Sequence, residues 1–168
     1  IPVDWHDSYV AEEEGDDDLA EPPQEVSGSF LTWSPSDLRA ISFDDVIQGR
    51  SDTCAFTAVL SAVARTDFNL ESGIVPLTPQ ANGDHPFNVR IFAKNAEGDY
   101  QPTWVRVTFN GQIEPEDLQT VDRIEYWPAL YLRAYLEYQE SVEGNYTSIR
   151  QSFESLTGIS TERFEPTS

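Results

Sequence analysis

From Leu31 onward the apolar positions fall into runs of two periods. Cys54 to Arg65 (CAFTAVLSAVAR) is apolar at most positions and is preceded by Ser51, Asp52 and Thr53 as N-cap candidates, so a buried helix is expected to start at Cys54. Phe87 to Ala93 and Thr103 to Phe109 roughly alternate apolar and polar side chains, the period of strands with one buried face. Asn110-Gly111 follows the second run as a turn signal. Trp127 to Tyr138 (WPALYLRAYLEY) places Leu130, Ala134 and Tyr138 at helical spacing, with Pro128 tolerated in the first turn. Tyr146 to Leu156 predicts a weaker amphipathic helix stopped by Gly158. Asp37 to Ile41, opened by Ser34-Pro35-Ser36, predicts a short helical turn. Together these elements predict an α+β unit: a central helix from Cys54, helices near residues 127 to 139 and 146 to 157, and a small β-hairpin or sheet between them. No internal repeat is visible.

Charge changes this picture at the N-terminus. The chain of 168 residues carries 30 Asp plus Glu against 10 Lys plus Arg, a net charge of -20. Ten of those carboxylates lie between Asp4 and Glu25, a stretch with no Lys or Arg. Such a block repels itself and lacks the apolar area to offset its ordering entropy, so residues 1–29 are expected to be an acidic tail or linker, and 30–168 the folded unit. Clustered carboxylates suit a hard cation, yet the Gly-punctuated spacing of a calcium loop is missing. Of the ten basic residues only Lys94 is a lysine, a bias that fits a salt-rich habitat.

The same charge disfavours phosphate backbones and anionic membrane surfaces, so neither nucleic acid nor membrane is expected as a partner. No apolar run is long enough to span a bilayer. One Cys cannot form an internal disulfide. The chain begins Ile1-Pro2-Val3 and contains no Met, which predicts a processed piece or a segment cut from a longer protein. With no signal peptide visible, the sequence leans towards the cytoplasm.

Four Trp, seven Tyr and nine Phe can supply a core, and the chemistry concentrates on Cys54. A thiol at the opening of a helix meets the first-turn amides, which stabilise a thiolate. Six positions upstream, Gln48 offers a side-chain amide that can donate to an oxyanion during acyl transfer, and Gly49 lets the loop turn back towards the helix start. A single Cys beside an apolar helix is, on residue type alone, more often a small buried hydrophobe. A serine elbow Gly-x-Ser-x-Gly is absent, and two distant His with one Cys give no zinc ligand set. Asn145-Tyr146-Thr147 matches a glycosylation acceptor but carries little weight without a secretory signal.

The run Asp45-Val46-Ile47-Gln48-Gly49-Arg50-Ser51-Asp52-Thr53-Cys54-Ala55-Phe56 resembles the active-site segment of the calpain-type, papain-like cysteine peptidases, in which a Gln-Gly pair precedes the nucleophilic Cys at this spacing. Three further blocks follow in the family's order. They are Gly73-Ile74-Val75-Pro76 with Phe87 to Phe92 and Arg90; Trp104, Val105, Val107 and Ile113; and Trp127, Pro128, Leu130, Arg133, Ala134 and Tyr135 with Gly144 and Tyr146. The likeness runs from about Asp44 to Gly158. It departs at Thr53 and Ala55, where the family commonly has Asp and Trp, at Asn110-Gly111, where it has paired Asp, and at Leu132, where it has Glu.

The resemblance implies the Cys-bearing subdomain of a papain-like fold, with Cys54 as thiol nucleophile, Gln48 in the oxyanion hole and a polypeptide as substrate. A thiol peptidase also needs an imidazole to move protons. His6 borders the acidic tail and His85 sits in the turn-forming loop Asn82-Gly83-Asp84-His85-Pro86, where exposure to solvent is expected. In the family the His and its orienting Asn lie on a downstream, strand-rich subdomain, so this chain is expected to be the nucleophile-bearing half, inactive alone. The alternative is an inactive calpain-like interaction or scaffold domain. Calcium enters only through the resemblance, because many calpains use it to align their two halves. Glu114, Glu116 and Asp117 are expected to form a solvated helix start rather than an ion site.

Overall fold

The structure is a computed structural model, and the residues it describes are 24–25, 41, 45–49, 53–66, 68–118, 126–141 and 148–161, with 24–25 and 141 described by their backbone alone. The expected turn over Asp37 to Ile41, save Ile41 itself, His6, and most of the acidic segment lie outside them. Helix α1 spans Cys54–Ala64. Its buried side chains Phe56, Thr57, Val59, Leu60 and Val63 recur at helical spacing, while Cys54, Ala58 and Ala62, four apart, form the exposed edge. The Thr57 hydroxyl donates to the Thr53 carbonyl at 2.9 Å, which removes most of the cost of burying a hydroxyl. Thr66 ends the helix: its hydroxyl donates to Val63 O at 2.7 Å and accepts from the Phe68 amide at 3.2 Å.

A three-stranded antiparallel sheet follows, its strands neighbouring one another in chain order. β2 is Ile74–Pro76, β3 His85–Lys94 and β4 Tyr100–Phe109. The β3–β4 register runs unbroken from His85 opposite Phe109 to Lys94 opposite Tyr100. Both strands are longer than the alternating runs that betray them. Their connection, residues 95–99, closes with the Asn95 carboxamide accepting from the Asp99 amide at 2.8 Å and with Gly98 at φ 90°. Phe87, Val89 and Ile91 point to the core from β3, with Val107 opposite Phe87.

Helix α2, Trp127–Ser141, packs on both long strands and supplies the largest buried side chains, Trp127, Tyr131 and Tyr135. Tyr126, immediately before it, stacks on Phe109 with ring centroids 3.9 Å apart, and Tyr135 stacks on Phe56 of α1 at 4.4 Å. The buried Tyr131 hydroxyl donates to Leu70 O at 2.6 Å. A side chain at Gly73 would collide with that hydroxyl. Burial holds the Tyr131 phenol above the ordinary tyrosine range.

Helix α3, Ile149–Thr157, packs against α1 and β3. It starts three residues later than the apolar pattern suggests, because Ser148 and Gln151 form a capping box. Gly158 stops it as expected, at φ 71°.

Two expectations need correcting. Asn110-Gly111 turns the chain as expected, with Gly111 at φ 85° and the Asn110 side chain accepting from the Gln112 amide. Strand β5, Gln112–Ile113, pairs with β1, Gln24–Glu25, so the segment read as an acidic tail contributes a strand at its end. Residues 114–117 form a tight turn rather than a solvated helix start, with the Asp117 amide donating to Glu114 O at 3.0 Å. Asp117 is buried, because Arg133 neutralises it.

The class is therefore α+β, with three helices and a three-stranded antiparallel sheet among the described residues. No described helix is long and apolar enough to cross a membrane.

Candidate functional site

Cys54 is the first residue of α1 and is exposed. Thr53, in the N-cap position, makes no side-chain cap to the helix, and its own carbonyl receives both the amide and the hydroxyl of Thr57. In any α-helix the amides of the first turn lack intrahelical acceptors, and Cys54 stands at that end of α1. The other two N-cap candidates, Ser51 and Asp52, lie outside the described residues.

Gln48 is exposed on a loop, residues 45–49, that starts in a 3-10 turn at Asp45 and makes a single β-bridge at Ile47. Residues 50–52, which join this loop to α1, lie outside the described residues. At its start the Trp127 indole donates to the Asp45 carboxylate at 3.4 Å. At its end Gly49 lies hard against the 114–117 turn, where an added Cβ would stand 2.1 Å from Asp117 O and 2.6 Å from Pro115 O. No residue but glycine fits there, for reasons of space.

The turn itself is held by an ion pair between buried Asp117 and half-buried Arg133. Arg133 of α2 donates through Nε to Asp117 Oδ1 at 2.9 Å and through Nη2 to Oδ2, a two-pronged contact. The same nitrogen reaches Gln112 O at 3.0 Å, and the guanidinium lies 5.3 Å from the Phe109 ring centroid. Asp117 Oδ2 also accepts from the Glu114 amide at 2.8 Å. Arg133 stood out in the sequence only by resemblance, and Asp117 was taken for a solvated carboxylate. Their pairing joins positions 16 residues apart in the chain, and no local pattern announces it.

His85 is exposed, as expected, but it opens β3 instead of lying in the preceding loop, because the turn closes earlier, at Gly83 with φ 90°. Among the described residues no group of three or more His, Cys, Asp or Glu is placed to hold a metal ion.

Beside α1 lies an apolar groove of about 670 Å³. Its walls are Ala58, Val59 and Ala62 of α1, Ile149, Arg150 and Phe153 of α3, and Thr161. Ala58 and Ala62 continue the exposed edge that Cys54 begins, so the groove and the sulfur share one face of the helix.

Set beside known proteins, the chain matches no family model and no curated protein.

Proposed function

We propose that this chain is the nucleophile-bearing half of a cysteine endopeptidase of the calpain type, with the Cys-bearing arrangement of a papain-like fold. The observation that carries the reading is the exposed thiol of Cys54 at the first position of α1. Burial of that sulfur in the core would leave it a small hydrophobe; exposure at a helix start leaves it able to react.

In the proposed reaction the Cys54 thiolate attacks the carbonyl carbon of a peptide bond. A carbon–sulfur bond forms and the carbonyl π pair moves onto oxygen, giving an oxyanion to which the Gln48 side-chain amide donates a hydrogen bond. Collapse re-forms the carbonyl and expels the amine, which takes its proton from an imidazolium. Water then hydrolyses the thioester and regenerates the thiol. The imidazole and its orienting carboxamide come from a downstream subdomain outside this sequence, since neither His6 nor His85 matches the family's position.

The test is cleavage of a denatured polypeptide by the full-length protein. Cys54→Ala abolishes cleavage, and Gln48→Ala lowers the rate by about 10²–10³, the usual effect of losing one oxyanion donor. Cleavage that survives Cys54→Ala removes the proposal.

The apolar groove between α1 and α3 favours a second reading, an inactive interaction domain. That reading requires full-length protein that binds partners but cleaves nothing.

A further inference from the structure

We infer that Arg133 is a positioning residue for the Gln48 loop, acting through Asp117 and the 114–117 turn on Gly49. What the loop is for rests on the peptidase reading; the chain of contacts does not.

The argument starts from Gly49, whose backbone touches the turn so closely that a Cβ would lie 2.1 Å from Asp117 O. The loop can therefore shift towards the turn by almost nothing, and any outward movement of the turn frees it. The turn's position is set by the Asp117 carboxylate, 6% exposed, which Arg133 grips with two nitrogens while Glu114 donates to it from within the turn. Arg133 is fixed in turn by Gln112 O and by the face of Phe109. Removing the guanidinium leaves a buried carboxylate without a counter-charge, which draws in water and pushes the turn outward.

Helix α2 holds both reacting elements. It carries Trp127, which grips Asp45 at one end of the loop, and Arg133, which acts on the other. It also carries Tyr135, stacked on Phe56 of α1 two residues after Cys54. A single rigid helix thus serves as a common frame for nucleophile and oxyanion donor, and Arg133 serves the donor alone.

That separation gives the test. A peptide aldehyde adds to Cys54 reversibly: the sulfur bonds to the carbonyl carbon, and the oxygen takes up the π pair and then the thiol proton, so its affinity depends on the oxyanion site. Iodoacetamide alkylates the same sulfur by displacement of iodide and forms no oxyanion. In the full-length protein, Arg133→Met is expected to weaken aldehyde binding about tenfold while leaving the iodoacetamide rate within about twofold. Hydrogen exchange at the Gly49 amide should quicken about tenfold, with α3 amides unchanged. Arg133→Lys, which keeps the charge but not the two-pronged grip, falls between. Gly49→Ala, which displaces the loop with the ion pair intact, gives the same split and covers the case in which Arg133→Met does not fold. Unchanged aldehyde affinity in these variants, or unchanged Gly49 exchange in the Arg133 variants, overturns the inference, as does an alkylation rate that falls in parallel. A wild-type protein that binds no aldehyde overturns the peptidase reading alone, and the Gly49 exchange rates then decide the positioning claim.

Discussion

Glu154 shows how one side chain can tie three parts of this molecule together. It is 3% exposed on α3 and accepts from the Tyr100 hydroxyl of β4, from Arg150 Nε at 3.1 Å, and from the amide and hydroxyl of Thr161 at 2.9 and 2.7 Å. Burial works to neutralise the carboxyl, but the hydrogen bonds from Tyr100, Thr161 and Arg150 outweigh it and hold its pKa down to about 2. The Tyr100 phenol is pushed the other way, by burial first and then by the carboxylate it faces. A lowered folded-state pKa gives stability that is complete above the unfolded value near 4.5 and drains away as the pH falls through the folded one. Glu154→Gln is therefore expected to cost about 2–3 kcal/mol at neutral pH, and the gap between wild type and variant should close between pH 4.5 and 2 in denaturant melts. A gap that does not change with pH contradicts this. At Gly158 two demands coincide: φ is 71°, and an added Cβ would stand 2.6 Å from the Phe92 ring. Gly158→Ala should cost about 1–3 kcal/mol, read as a lowered denaturation midpoint.

At the scale of elements, α3 depends most on its start. It is nine residues long, too short to persist by propensity alone, and the Ser148–Gln151 box satisfies two of its N-terminal donors. Ser148→Ala is expected to cost about 1 kcal/mol and to quicken hydrogen exchange through the first turn of α3 while leaving α2 unaffected. That start was legible: Ser-Ile-Arg-Gln has the spacing of a capping box, and the apolar Tyr146 obscured it by extending the pattern. Helix α1 was read to within one residue, because its apolar face and its boundaries coincide in the sequence. The strands were underestimated because Pro86 and Pro102 interrupt the alternation, yet both sit within the paired register, opposite Thr108 and Phe92. Asn110-Gly111 was read as a turn and is one, but nothing near it tells that β5 finds its mate in β1, far back along the chain. Local signals specify that the chain bends, not where the next strand docks.

In the molecule as a whole, Cys54 was placed by sequence because a helix start is a local event. The geometry behind Gln48 was not, because it passes through Gly49, Asp117 and Arg133, which meet only in the fold. The apolar groove was equally hidden, since α1 and α3 are separated by the sheet and α2 in the chain. The face that carries the sulfur and the groove remains the functional side of this domain in either proposed reading. The most direct measurement is the rate at which iodoacetamide alkylates Cys54 at neutral pH, against free cysteine under the same conditions. A sulfur activated by the helix start reacts several-fold faster than free cysteine. Labelling as slow as free cysteine, or slower, contradicts the claim that Cys54 is a nucleophile.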